Sequence, residues 1–299
     1  MNGITTRTGI DESAPSHVGL RDSLISLGVG PKKRSAAATN GEGGRGVTFE
    51  TLIDEIYRTR TVRDAQGNEY ELSSEVDRSE GEYLLDLVTS DSSIVKSVEI
   101  GCAYGLSSLY ICEGLKDRPG ASHTIIDPSQ GDVWHDVGIA QLERVGFNFF
   151  DLMREPSELA LPQLLRTQSE QFDFAFIDGW HTFDQTMLDL YYVSRLVRVG
   201  GYIVTDDCNW PSVAAAISYY SNYPMYTTGA KSSKLHERRT SMKRSIGRAV
   251  SSRIPPELAQ WILPTAIHNR VYRISRFPSM VAFKKIAPDS RDWAWFKSF

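Results

Sequence analysis

From Ser93 to Asp207 the chain alternates short apolar runs with longer amphipathic stretches, and this alternation restricts its fold more than any other feature. SIVKSVEIG, SHTIIDP, FNFFDL, FDFAFID and YIVTDD read as largely buried strands; LSSLYICEGL, HDVGIAQLERVG, SELALPQLLRT and FDQTMLDLYYVSRLV, lying between them, have helical spacing, and RVGG reads as a turn. Strands separated by helices need right-handed crossovers, which give a mostly parallel sheet covered on both faces. The expectation is a doubly wound α/β domain. Two helices precede it. TFETLIDEIYRTR sets Phe49, Leu52, Ile53 and Ile56 on one face behind a Thr48 cap, and SEGEYLLDLV reads as capped by Ser79. After Asp207 the pattern predicts a helix in PSVAAAISYYSN, a strand in PMYTTG and a last strand in SMVAFKKI.

The remaining sequence divides by composition. Residues 1–46 are rich in Gly, Ser, Thr and charge and poor in large apolar side chains, the signature of a disordered N-terminal tail. Residues 47–230 form the expected core, 231–276 a basic insertion or lid, and 277–299 the last strand and a C-terminal tail. A length of 299 residues with 41% hydrophobic content suits one main core. The start lacks a signal-peptide pattern, and no uncharged apolar run reaches the roughly 18 residues of a spanning helix, so a cytoplasmic location is expected. Cys102, Cys112 and Cys208 are an odd count without CxxC spacing, which argues against both a disulfide framework and a zinc site; two of them lie inside apolar segments and read as small core residues.

The net charge of −4 conceals an uneven distribution. Between Lys231 and Arg276 eleven Lys and Arg residues face only Glu237 and Glu257. Such a face could attract a phosphorylated or nucleotide-linked substrate, dock on anionic lipid, or be a solvated surface helix. It lacks the interleaved aromatics of nucleic-acid binding. The terminal DWAWFKSF reads as packed on the domain, with an interface, as in a homo-oligomer, as the alternative.

Chemistry gathers where strands end. FDFAFID stops at Asp178, with His181 three residues on, and YIVTDD stops at Asp206 and Asp207. If these strands are neighbours in a parallel sheet, three acids and an imidazole reach the rim where such sheets bind ligands. Close carboxylates raise one another's pKa unless a cation sits among them, and an all-oxygen set suits Mg²⁺, with Mn²⁺ or Ca²⁺ as alternatives. The alternative for Asp206 and Asp207 is a plain helix start before Pro211, and for His181 a surface residue. A second candidate is VEIGCAYGLSS, which closes a strand and opens a helix through Gly101 and Gly105, with Glu99 near the strand end. Glycine permits a tight turn and close approach to a ligand, and the helix start offers free N–H groups. The spacing is neither GxGxxG nor a P-loop, and a turn without a ligand stays open. The next strand ends at Asp127, about twenty residues beyond Gly105, where a carboxylate can accept ribose hydroxyls.

Taken together, VEIGCAYGLSS, IIDP, SELALP, FDFAFIDGWHTFDQTMLDL and VGGYIVTDD resemble class I S-adenosylmethionine-dependent methyltransferases, in the branch of the macrolide sugar O-methyltransferases and, distantly, the catechol O-methyltransferases. The resemblance covers roughly Ser79 to Pro211. It implies a Rossmann-like, seven-stranded, mostly parallel sheet and assigns Glu99, Gly101, Ala103 and Gly105 to the methionine part of S-adenosylmethionine, Asp127 to the ribose and Ser157 to the adenine side, with Asp178 also at the cofactor site. It further implies a divalent cation, Mg²⁺ or similar, on Asp178, Asp206 and Asp207, with His181 as base. The implied reaction is O-methylation of a hydroxyl on a small or sugar-containing molecule. Metal-independent transfer to another acceptor, and a non-catalytic nucleotide-binding module, are the alternatives.

Overall fold

The structure, a computed structural model, describes residues 47–167, 169–228 and 278–297. The N-terminal tail and all of the basic insertion fall outside these residues, as do the readings made for them.

Helix α1 (Phe49–Thr59) starts at Thr48, whose hydroxyl accepts from the Thr51 backbone N–H, and buries the four apolar residues expected of it. It leads into a hairpin of β1 (Thr61–Arg63) and β2 (Glu69–Glu71), which the sequence pattern did not suggest. The next helix, α2 (Arg78–Ser90), is capped by Asp77 and not by Ser79. Asp77 accepts from Glu80 N at 2.9 Å, and Glu80 accepts in return from Asp77 N at 2.8 Å, a reciprocal box that satisfies two otherwise free donors.

The expected alternation follows: β3 (Lys96–Ile100), α3 (Leu106–Leu115), β4 (Ser122–Ile126), α4 (Val137–Val145), β5 (Phe150–Met153), α5 (Ser157–Thr167), β6 (Phe172–Ile177), α6 (Phe183–Leu196), β7 (Val197–Thr205), α7 (Pro211–Tyr220), β8 (Tyr226–Thr228) and β9 (Val281–Lys285). Their seven strands form one sheet in the order β5-β4-β3-β6-β7-β9-β8, parallel from β5 to β7 and antiparallel where β9 meets β7 and β8. The Rossmann-like, doubly wound sheet expected from the sequence is therefore present.

The sheet separates two apolar cores. On one side Leu52, Leu84, Leu109, Val137 and Leu142 pack with Phe174 and Phe176; on the other Leu161, Leu190, Val193, Val213 and Ile217 pack with Val98, Ile100 and Ile203. Alternate residues of one strand feed opposite cores, as a pleated strand covered on both faces requires. All three cysteines are buried and free. Gly81 fits α2 against α3, since a Cβ there would fall 2.0 Å from the Tyr110 ring. The predicted RVGG turn is part of β7: Phe172 pairs with Val197 and Phe174 with Tyr202, so Arg198–Gly201 bulges opposite Asp173 and is pinned by Arg198 Nε donating to Asp173 at 2.5 Å. Among the described residues, no helix is long and apolar enough to cross a membrane.

The far end of the sheet is tied by a buried cation. Lys285 Nζ donates to the carbonyls of Val197 and Ser194 at 2.8 and 3.0 Å and to Glu170 at 2.9 Å. Lys285→Met strands the carbonyls of buried Ser194 and Val197 and should cost about 3 kcal/mol, read as a lower urea midpoint with an unchanged slope. A loss under about 0.5 kcal/mol would show that these bonds are not made.

Candidate active site

The site is built by register. Ile126, Ile100, Ile177 and Thr205 lie on one rung of β4, β3, β6 and β7. The hydrogen-bond ladder runs one residue further: Gly101 N donates to Ile126 O, Asp178 N to Ile100 O and Asp206 N to Ile177 O, each at 2.9 Å, and Asp127 N to Met153 O at 3.1 Å. Gly101, Asp127, Asp178 and Asp206 thus leave the carboxyl edge side by side. Helices cross to opposite faces on either side of the β3–β6 pair, which makes this edge the switch point where open α/β sheets receive ligands.

The glycine turn lies against its neighbours. Gly101 has φ +84°, and a Cβ there would stand 2.1 Å from the Asp178 carbonyl oxygen; Gly105 has φ +81°, and a Cβ would meet the Gly138 carbonyl at 2.7 Å. Backbone packing alone therefore requires both glycines. Ala103 also takes a left-handed conformation, with φ +47°. Asp127 holds the turn: one carboxylate oxygen accepts from Cys102 N, Ala103 N and Gln130 Nε2 at 2.9–3.0 Å, the other from Ser129 N at 2.8 Å. Ribose hydroxyls at Asp127 would share it with these four donors. No side chain caps α3, whose first-turn N–H groups begin at this turn. Glu99 is fully buried beneath it, accepting from Ser108 Oγ and paired with His123 Nε2 at 3.1 Å, while its other oxygen has no partner.

Beside the turn, Asp178, His181 and Asp207 converge, each offering a ligand atom within 4.8 Å of the others. His181 Nε2 lies 3.2 Å from Asp178 and 3.5 Å from Asp207. Thr182, the cap of α6, and Ser212, which donates to the His181 carbonyl, fix this loop from both sides. Asp207 adopts φ +49°, an uncommon conformation of the kind that gathers at functional sites. Asp206 stands apart: it is buried, with Oδ1 accepting from Asp207 N at 2.7 Å and from Ser279 Oγ at 3.4 Å, which places it behind Asp207.

The electrostatics are those of a site short of positive charge. Burial, and then the charges of Asp207 and Glu99, push Asp178 up to about 6 against the hydrogen bond from His181. Burial and the neighbouring acids raise Asp206 well above the carboxylate range, and burial raises Asp207. For His181 burial opposes the charge, but the hydrogen bond to Asp178 and the two carboxylates outweigh it, so its pKa is raised. A hard divalent cation fits this donor set, because it would relieve the repulsion that the carboxyls otherwise meet by staying protonated.

Several groups at this edge escaped sequence reasoning. Glu80, the acid of the α2 capping box, is raised by burial and feels the charge of Asp207, and Asp206 in turn feels Glu80. Its only sequence signal was the D-x-x-E spacing from Asp77. Ser157 does not point its hydroxyl outward; it donates to buried Asp189 at 2.6 Å. Trp180, Phe183 and Trp210 are exposed around the loop, with the Trp210 ring 5.5 Å from that of His181.

Residues 98–208 match the family described as a methyltransferase domain. The chain is 26% identical over 160 residues to the tapetum-specific methyltransferase 1 of Arabidopsis thaliana, covering 53% of this chain and 64% of that protein, so it spans a little under two thirds of the relative's length. Similar solved structures include an O-methyltransferase from Bacillus cereus in complex with SAH (20% identity, 60% of this chain and 81% of that one, TM-score 0.47). Another is the O-methyltransferase TomG from Streptomyces achromogenes in complex with SAM (19% identity, 52% and 73%, TM-score 0.45). Over residues 98–208, from β3 through the paired aspartates, the chain is thus similar to a methyltransferase domain.

Proposed function

We propose that the protein is an S-adenosylmethionine-dependent O-methyltransferase that binds a divalent cation and methylates a hydroxyl of a small molecule, with a sugar or sugar-bearing compound as the favoured acceptor. One observation carries this reading: Asp178 is hydrogen-bonded to the strand that ends in the glycine turn and meets His181 of its own loop and Asp207 of the loop after β7. Groups suited to the donor and groups suited to the acceptor oxygen therefore share one edge.

Asp178 and Asp207 would hold the cation, with Asp206 orienting Asp207 from behind. Bound there, a dication supplies Lewis acidity that makes an acceptor hydroxyl easier to deprotonate. His181 is the group placed to take that proton, through the ring nitrogen not engaged by Asp178. The turn from Gly101 to Gly105, braced by Asp127, and the uncapped start of α3 would seat the methionine part of the donor. Exposed Trp180, Phe183 and Trp210 offer flat apolar faces to an acceptor ring or sugar.

The His181–Asp178 hydrogen bond also supports a second reading, in which this pair serves as the base without a metal. Titration of S-adenosylhomocysteine followed by calorimetry tests the cofactor; micromolar binding is expected, and none would overturn the proposal. Methyl transfer to a panel of glycosylated and phenolic acceptors, with and without EDTA, separates the two readings. Loss of transfer in EDTA and recovery with Mg²⁺ supports the first; unchanged transfer supports the second. His181→Ala is expected to leave product binding near normal and to lower turnover by at least about 100-fold.

A further inference from the structure

The buried carboxyl of Asp189 has no part in the chemistry above, yet it ties the start of α5 to the middle of α6. Asp189 sits in the middle of α6 and is 1% exposed. Its Oδ1 accepts from Ser157 Oγ, on the first residue of α5, at 2.6 Å. Gln185, one turn earlier on α6, donates through Nε2 to the same Ser157 oxygen at 2.8 Å. The chain of donors has one direction, from Gln185 to Ser157 to Asp189, because an ionised carboxylate can only accept. On its other side Asp189 abuts the loop that carries His181: a Cβ on Gly179 would come 3.6 Å from Asp189 Oδ2 and 2.9 Å from Ile100.

We propose that Asp189 is a positioning residue for the adenosine end of the methyl donor, acting through Ser157 to hold the start of α5 against α6 and the Gly179 loop. This rests on the donor binding proposed above and on the adenine position that the family resemblance gives to Ser157. In its ionised form Asp189 fixes the Ser157 hydroxyl inward; once protonated, it no longer requires that hydrogen bond. Burial pushes its pKa up to about 7, against the hydrogen bonds from Ser157 and Gln185, and the neighbouring Glu158 charge raises it further. The packed elements bring Ser157 and Glu158 from α5, Gln185 from α6, and uncharged Gly179 and Ile100 from the loop and β3. Product affinity should therefore be higher above neutral pH and fall as the pH drops through it.

The test is calorimetric titration of S-adenosylhomocysteine into the full-length protein between about pH 5.5 and pH 8.5. The wild type should lose about tenfold in affinity toward the acid end, and His181→Ala should keep that step. Asp189→Asn, whose amide oxygen can still accept from Ser157, should bind within about threefold of wild type at high pH and show no step. Asp189→Leu should bind about tenfold more weakly throughout. Ser157→Ala, which removes the hydroxyl through which Asp189 acts, should also show no step. A step that persists unchanged in Asp189→Asn, or a flat wild-type profile, overturns the role of Asp189 while leaving the cofactor assignment intact. A wild type that binds no product at any pH overturns both.

Discussion

Gly101→Ala is expected to be among the most damaging single-methyl additions this fold can receive, costing about 3–5 kcal/mol and weakening S-adenosylhomocysteine binding by at least about tenfold. Two effects combine. The residue has φ +84°, which strains any side chain, and the new methyl would lie 2.1 Å from the carbonyl oxygen and 2.8 Å from the carbonyl carbon of Asp178. Neither is the end of a flexible side chain. They are backbone atoms locked by the bond from Asp178 N to Ile100 O, so relief must come from moving the β6 loop that carries Asp178 and His181. Gly67 is the matched control. It has φ +82° but nothing within 4 Å of its Cβ position, so Gly67→Ala should cost only about 1 kcal/mol and leave binding unchanged. Urea midpoints of the two variants measure the difference; equal losses would mean that the glycine turn and the β6 loop are not in contact.

Asp178→Asn should produce opposite changes in stability and function. A carboxyl whose folded pKa is raised contributes stability fully below its unfolded pKa and loses that contribution as the pH rises through the folded value. For Asp178 the window runs from the ordinary 3.8 to about 6, and Asp206 and Asp207 shift in the same direction. In EDTA the wild type should therefore lose stability from these groups as the pH rises from about 4 through 6. At pH 8 Asp178→Asn should be more stable than wild type by on the order of 2 kcal/mol, less whatever its link to His181 supplies. Saturating Mg²⁺ should raise the wild-type Tm at pH 8 by roughly 5 °C or more, with little effect at pH 4, where protons already occupy the acids. The variant should gain nothing from Mg²⁺ and lose at least about 100-fold in metal-dependent transfer. Thermal melts in EDTA and Mg²⁺ at both pH values provide the check; an equal Mg²⁺ response in the variant would remove Asp178 from the cation site.

Much of this architecture was legible because buried parallel strands advertise themselves. VEI, TII, FAFI and YIVT are largely apolar runs of strand length, and each is followed by a stretch of helical spacing, so the alternation and the mostly parallel direction followed from pattern alone, while the order of strands in the sheet did not. The β1–β2 hairpin was missed because its three-residue strands, TVR and EYE, carry one buried residue each. Its turn is held instead by Asp64, which accepts from Gln66 N, Asn68 N, Asn68 Nδ2 and the Tyr70 hydroxyl. The cap of α2 was misplaced by two residues because Asp77 and Ser79 are both good cap formers, and only the reciprocal bond with Glu80 selects Asp77.

The site was legible in part. Strand ends placed Asp127, Asp178 and Asp206 at one edge, and register confirms that they emerge together. Sequence could not divide the roles of Asp206 and Asp207, because consecutive residues at a strand end face different ways and a left-handed Asp207 is not written in the letters DD. Nor could it show that Gly101 and Gly105 answer to neighbouring backbone, that Asp127 is engaged by four donors of its own chain, or that Glu80 and Asp189 approach from helices. Those facts depend on contacts between segments remote in sequence.

The most direct measurement is a crystal of the protein soaked with S-adenosylhomocysteine and Mn²⁺, with data collected at the manganese absorption edge. The account predicts an anomalous peak coordinated by Asp178 and Asp207, and the product lying along the turn from Gly101 to Gly105 with its adenine beside Ser157. Manganese bound away from both aspartates, or product seated at the opposite edge of the sheet, would contradict it.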